Sequence, residues 1–237
     1  MTTWQFAAIA VAVLAAGFVQ GATGVGFALI VAPVIGLLAP ALLPVCVLVL
    51  MLPLNVYVLW RERGALDKPG AGWITAGRVA GTFGGLWVLA ALTASQLDIG
   101  VGLATIAAVV ATLIAPAFTP GPRAFVISGL ITGVTETATG IGGPPLALVY
   151  QHRPVAVMRS TIAFCFLVGQ LVSLVALLAT GRIGSPQMVA AAQLLPALFA
   201  GALLSHVVHH RVDSRFLRAF VLVFALASSV LLLSRAL

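Results

Sequence analysis

Glu136 and Arg78 stand inside apolar runs, where an ionisable side chain costs roughly 2.5–3.5 kcal/mol at the centre of a membrane helix, so each needs a chemical reason. Around Glu136 the chain reads GVTETATGIGGPP from Gly133 to Pro145, with Thr139, Gly140, Gly142 and Gly143 where a spanning helix should simply continue. A helix that starts at such a break exposes its first N–H groups and the positive end of its dipole, which together attract an anion. Glycine lets a ligand approach bare backbone there, and proline just inside the start forfeits no helical hydrogen bond. A second copy, GFVQGATGVG from Gly17 to Gly26, lies 116 residues earlier and matches five of ten positions of GVTETATGIG. It supplies Thr23, Gly24 and Gly26, with Gln20 where the later copy has Glu136. Two such starts would turn two sets of amides, and the Thr23 and Thr139 hydroxyls, toward one volume whose natural guest is a small oxyanion. The bland alternative, glycines for tight packing and threonines bonding their own backbone, is weakened by recurrence of the whole pattern at one offset.

Glu136 lies twelve residues past Ala124, about 18 Å along a helix at 1.5 Å per residue. At that depth it is expected to be protonated or paired for part of a cycle, and to couple proton movement to anion movement, with Gln20 as its counterpart. Arg78, five residues past Trp73, is expected to snorkel to the cytoplasmic interface; its second reading is anion attraction at the inner mouth. Asn55 and Gln170, nearly matched by the repeat offset, either line a cavity or bond helix to helix. His206, His209 and His210 have no ligand partners near in sequence and read as a cationic loop, not a metal site. No nucleophile elbow, HExxH helix or P-loop occurs, so no catalytic residue and no cofactor is assigned. Cys46 and Cys165 fall in mid-run and read as small core residues.

The elements that hold these residues follow from composition. A chain of 237 residues that is 62% hydrophobic and 7% charged, with mean hydropathy +1.19, is an integral membrane protein, partnered by a lipid bilayer. Its apolar runs are long and do not alternate, so the fold class is all-α rather than a barrel. No basic segment precedes Trp4, so a signal peptide is not expected. Ten runs are predicted, near 4–20, 25–40, 41–60, 73–93, 98–118, 124–138, 143–153, 160–180, 188–207 and 214–234, with broken or re-entrant helices at the glycine motifs. The net charge of +7 does not indicate nucleic acid, because the cations sit in short loops. One side collects Arg61, Arg63, Lys68, Arg123, Arg153, Arg159, Arg211, Arg215 and Arg218, the other Arg182 and Arg235. By the positive-inside rule the first side is cytoplasmic and both termini face outward.

Five runs per half, with the basic loop after the third run in one half and the fourth in the other, predict two inverted repeats, 1–118 and 119–237. The offset also pairs Phe83 with Phe199 and Gly85 with Gly201. Gly77, Gly81 and Gly85 at spacing four read as a packing stripe, and Pro33, Pro44, Pro53, Pro116 and Pro196 predict kinks.

The duplicated break, the tract GIGGPPLALVY with HRPVAVMRSTIAFCFLVGQLVSL, and GATGVGFALIVAP resemble the TauE/SafE family of sulfite exporters, small prokaryotic membrane proteins that move sulfur-containing anions. The resemblance implies a plasma-membrane carrier, an exporter of sulfite, thiosulfate, sulfoacetate or a related organosulfur acid. The family's glycine motifs fall on Gly24, Gly26, Gly140, Gly142 and Gly143, and Phe27 departs from the glycine often found in the first. Three rivals remain: a carrier of a cation or neutral solute using proline-freed carbonyls, an intramembrane enzyme using Glu136 with the histidines, and a membrane scaffold.

Overall fold

The computed structural model describes residues 2–114, 120–208 and 214–236. Pro116, His209, His210 and Arg211 lie outside the described residues, as do the side chains of Arg63, His206, Arg215, Arg218 and Arg235. Among the described residues there are ten α-helices and no strand: α1 Thr3–Thr23, α2 Phe27–Leu38, α3 Val45–Arg61, α4 Lys68–Ala91, α5 Ala94–Ile114, α6 Pro122–Thr139, α7 Gly143–Tyr150, α8 Val155–Ala179, α9 Ser185–Val208 and α10 Ser214–Ala236.

These helices fall on the ten apolar runs but differ in their starts. α4 begins five residues before Trp73, because Asp67 caps it by accepting the Gly70 N–H at 3.2 Å and Pro69 fits its first turn. A polar first turn is invisible to a hydropathy count. α1, α4, α8 and the Ser185–Ser205 part of α9 are long and apolar enough to cross a bilayer. α2 and α7, with 12 and 8 residues, extend only about 18 and 12 Å, short of the ~30 Å hydrocarbon core.

The two glycine tracts impose one local geometry twice. α1 stops at Gly24 with φ 85° and its N–H on Gln20 O; α6 stops at Gly140 with φ 83° and its N–H on Glu136 O. Both are left-handed C-caps, a conformation that costs a residue with Cβ roughly 1–2 kcal/mol.

Small residues then decide the helix pairs. A Cβ on Gly77, Gly81, Gly129 or Gly133 would strike backbone of the facing helix, so α4 and α6 lie side by side, both running the same way. Gly17 and Gly201 bring α1 against α9 by the same means. α3 packs on α8 and α5 on α10. The outward faces suit lipid: Val11, Phe83, Leu178 and Leu203 are more than half exposed, and Trp4, Trp60, Trp73 and Trp87 point outward near helix ends.

One end of the bundle gathers charge. There the end of α3 meets the start of α8 through Arg159 Nη1 and Glu62 Oε1 at 3.7 Å, and α7 meets α4 through the Tyr150 hydroxyl donating to Asp67 at 2.9 Å. At the other end Gln5 donates to Leu38 O at 3.0 Å, joining α1 to α2, and Gln187 donates to Ala41 O at 3.1 Å, joining α9 to the turn Pro40–Leu42 that follows α2, both without a charge.

Candidate functional site

The two breaks have different interiors. In the first, the Thr23 hydroxyl donates to Val19 O at 2.9 Å and Val25 O at 2.6 Å, and the Gln20 side-chain oxygen accepts the Phe27 N–H at 3.0 Å. In the second, the Thr139 hydroxyl donates to Thr135 O at 2.7 Å and accepts the Ile141 N–H at 3.2 Å, while Thr132 donates to Gly142 O at 3.1 Å. Both threonines therefore bond their own backbone, as the bland alternative has it. Backbone donors are also fewer than two bare helix starts suggest. Phe27 N–H is taken by Gln20, and Pro144 and Pro145 carry none, which leaves chiefly Ala28 and Leu29 on α2 and Gly143 on α7.

Both breaks nonetheless border one cavity of about 360 Å³. Gln20, Thr23, Gly26, Ala28 and Leu29 line it from the first, and Gly143, Pro144 and Ala147 from the second. It extends to Gln151, Arg153 and Arg159 at the charged end of the bundle. Gly24, Thr139, Gly140 and Gly142 are not in its lining. Gly24 acts one step back: a Cβ there would collide with the Arg159 stem, so its bareness lets that side chain lie across the end of α1. Arg159 Nη2 donates to Ala22 O, and its Nε, buried in the wall, finds no hydrogen-bond partner among the described residues. Arg159 lines the cavity, and a guanidinium there supplies charge and donors for a carboxylate, sulfonate or sulfite oxygen.

Arg78 does not snorkel. It is fully buried, its Nη2 ion-paired with Glu136 Oε2, and its guanidinium carbon lies 5.0 Å from the Phe166 ring centroid. The early start of α4 is the reason: Arg78 is ten residues from Lys68, about 15 Å inside the helix and beyond the reach of a snorkelling stem. Gly169 on α8 leaves the room, since a Cβ there would sit on the guanidinium. Glu136 also accepts from Gln170 Nε2 at 2.9 Å, and Asn55 Nδ2 donates to Gln170 Oε1 at 3.0 Å. Four buried polar side chains from α4, α6, α8 and α3 thus form one chain, and Asn55 and Gln170 bond helix to helix rather than line the cavity. Thr82, Ser173 and Thr137 form a second hydroxyl cluster beside it.

A family model described as "Sulfite exporter TauE/SafE" matches residues 9–232. The chain belongs to the TauE/SafE family. No curated protein and no solved structure matches it. As a TauE/SafE protein it is a member of a family of membrane transporters of sulfite-type anions. Within that setting Arg159 is the residue that reading the sequence missed. It scores there as one loop cation among nine, and only the fold of α1 beneath it turns it toward the cavity. Phe166 and Met51, apolar residues with no distinguishing pattern, were missed for the same reason; both line the cavity and touch the buried chain.

Proposed function

We propose that this TauE/SafE protein is a secondary carrier, an exporter of sulfite or a related organosulfur oxyanion, which binds between the breaks at α1–α2 and α6–α7. The observation that carries the reading is the single cavity bordered by Gln20, Gly26 and Gly143 that reaches Arg153 and Arg159. An anion there meets the starts of α2 and α7, the Arg159 guanidinium and few competing acceptors. The basic end is cytoplasmic and both termini face outward in the inner membrane, so the cavity is the inward-facing state of an alternating-access cycle. Glu136 couples proton movement to anion movement.

Two inverted repeats, 1–118 and 119–237, provide the moving parts. Support comes from helix packing. Exchanging the first five helices for the last five turns α4–α6 into α9–α1, α4–α8 into α9–α3, α1–α2 into α6–α7 and α2–α10 into α7–α5, and each of these pairs is in contact. α3–α8 and α5–α10 map onto themselves. The short α2 and α7 are then half-helices entering from opposite sides.

The test is uptake into proteoliposomes, with sulfite, sulfate, thiosulfate and small sulfonates as competitors. Sulfur oxyanions should compete and cations or neutral solutes should not. Transport insensitive to every sulfur oxyanion would sink the reading in favour of a cation or neutral-solute carrier.

A further inference from the structure

Two side chains, Phe166 and Met51, both line the cavity and touch the buried polar chain. Phe166, 1% exposed, faces the cavity and covers the Arg78 guanidinium; Met51, 2% exposed, faces the cavity and places its sulfur 3.5 Å from Gln170 Nε2. Behind this septum Arg78 is under-used. Of its five N–H donors, those on Nε and Nη1 find no hydrogen-bond partner among the described residues, although the side chain is fully buried. Asn55 Oδ1, equally buried, is an acceptor without a donor.

We propose that Arg78 is a second, occluded subsite for the transported anion, and that Glu136 is its resident placeholder, leaving as the neutral acid when the anion arrives. The inference rests on the cavity being an anion site. When the septum opens, an oxyanion from the cavity takes the guanidinium, and one proton from cavity water goes onto Glu136. An anion replaces an anion on Arg78, so no unpaired charge is left inside. An oxyanion with three oxygens also uses the donors that a single carboxylate leaves idle.

The amide chain can satisfy both states. With Glu136 ionised, Gln170 Nε2 donates to it and Asn55 Nδ2 donates to Gln170 Oε1. With Glu136 protonated, rotation of both amides lets the acid donate to Gln170 Oε1 and Gln170 Nε2 donate to Asn55 Oδ1, the atom now lacking a donor. Among the described residues the other groups facing the pair do not carry a competing charge. Cys165 approaches from α8, Thr132 and Thr137 flank Glu136 on α6, and the one ionisable side chain of α7, Tyr150, is turned to Asp67. The one ionisable residue of α5 is Asp98, in its second turn.

The experiment is proton uptake on binding of methanesulfonate to the full chain in nanodiscs, from binding heats in buffers of different ionisation enthalpy. A sulfonate stays ionised throughout, so any proton taken up belongs to the protein. The wild type should take up about one proton per sulfonate bound. Arg78→Leu/Glu136→Gln should bind about tenfold more weakly and take up none. Phe166→Ala should keep the uptake and accelerate binding. Binding by the wild type without proton uptake overturns the occluded subsite and leaves the cavity reading standing, as does uptake that persists in the double variant. Failure to bind any sulfur oxyanion overturns the cavity reading itself. If the double variant does not fold, the wild-type measurement still decides.

Discussion

The first break and the second share a tract and a left-handed cap, and each packs its preceding helix on an equivalent neighbour, α1 on α9 and α6 on α4, yet only the second is wired to charge. At the repeat offset Gln20 stands for Glu136 and Leu194 for Arg78, and both Gln20 and Leu194 are buried and uncharged. Gln20 turns onto the Phe27 N–H and closes the start of α2, whereas Glu136 turns away from α7 onto Arg78 and Gln170. Phe27 is buried while Gly143 opens on the cavity. The backbone bend and the charge it serves are thus separable properties. The duplicated glycines make the bend twice, and a difference at two positions makes one of the two equivalent helix pairs, α4–α6, ionisable.

The largest expected effect comes from breaking that asymmetry on one side only. Glu136→Ala leaves Arg78 buried without a partner and should destabilise the protein by about 3–5 kcal/mol, read as loss of folded protein in thermal unfolding. Arg78→Leu/Glu136→Gln, which writes the residue types of the α9–α1 pair, Leu194 and Gln20, into the α4–α6 pair, should recover most of that stability while losing pH-dependent transport.

Arg159→Gln should weaken sulfite or sulfonate binding about tenfold to a hundredfold in competition assays, with little change in melting temperature, because a charged donor at the cavity is lost at a side chain that is only partly buried. Gly142→Val sharpens the comparison from the packed side. Its Cβ would lie 2.8 Å from Glu136 Cβ and 2.9 Å from Thr132 Cγ2, so the variant should insert but lose about 1–3 kcal/mol and its binding with it. The smallest effect belongs to the uncharged break: Gln20→Leu removes one cap from α2, worth about 1 kcal/mol, and should leave pH dependence unchanged.

Much of the membrane fold was legible before any coordinate. The apolar runs placed ten helices, and the glycine tracts marked where two of them stop, though as bare helix starts rather than as the left-handed caps at Gly24 and Gly140, because hydrophobic length and glycine content are properties of a few neighbouring residues. The partners were not legible. Thr23 and Thr139 carry hydroxyls suited to a ligand, and the helix end above each takes that hydroxyl first.

What the amino-acid order determined by itself was therefore the membrane class, the family, the two interruptions and the presence of a carboxylate beside one of them. What tertiary structure decided was where each charge goes. Arg78 looks like an interface residue until α4 is found to start at Lys68 and Gly169 to leave it a slot; Arg159 looks like loop charge until Gly24 lets it cross the end of α1. A long cationic side chain can reach several ångströms in any direction, so its role is set by the backbone that approaches from far along the chain, and sequence spacing carries no record of that approach.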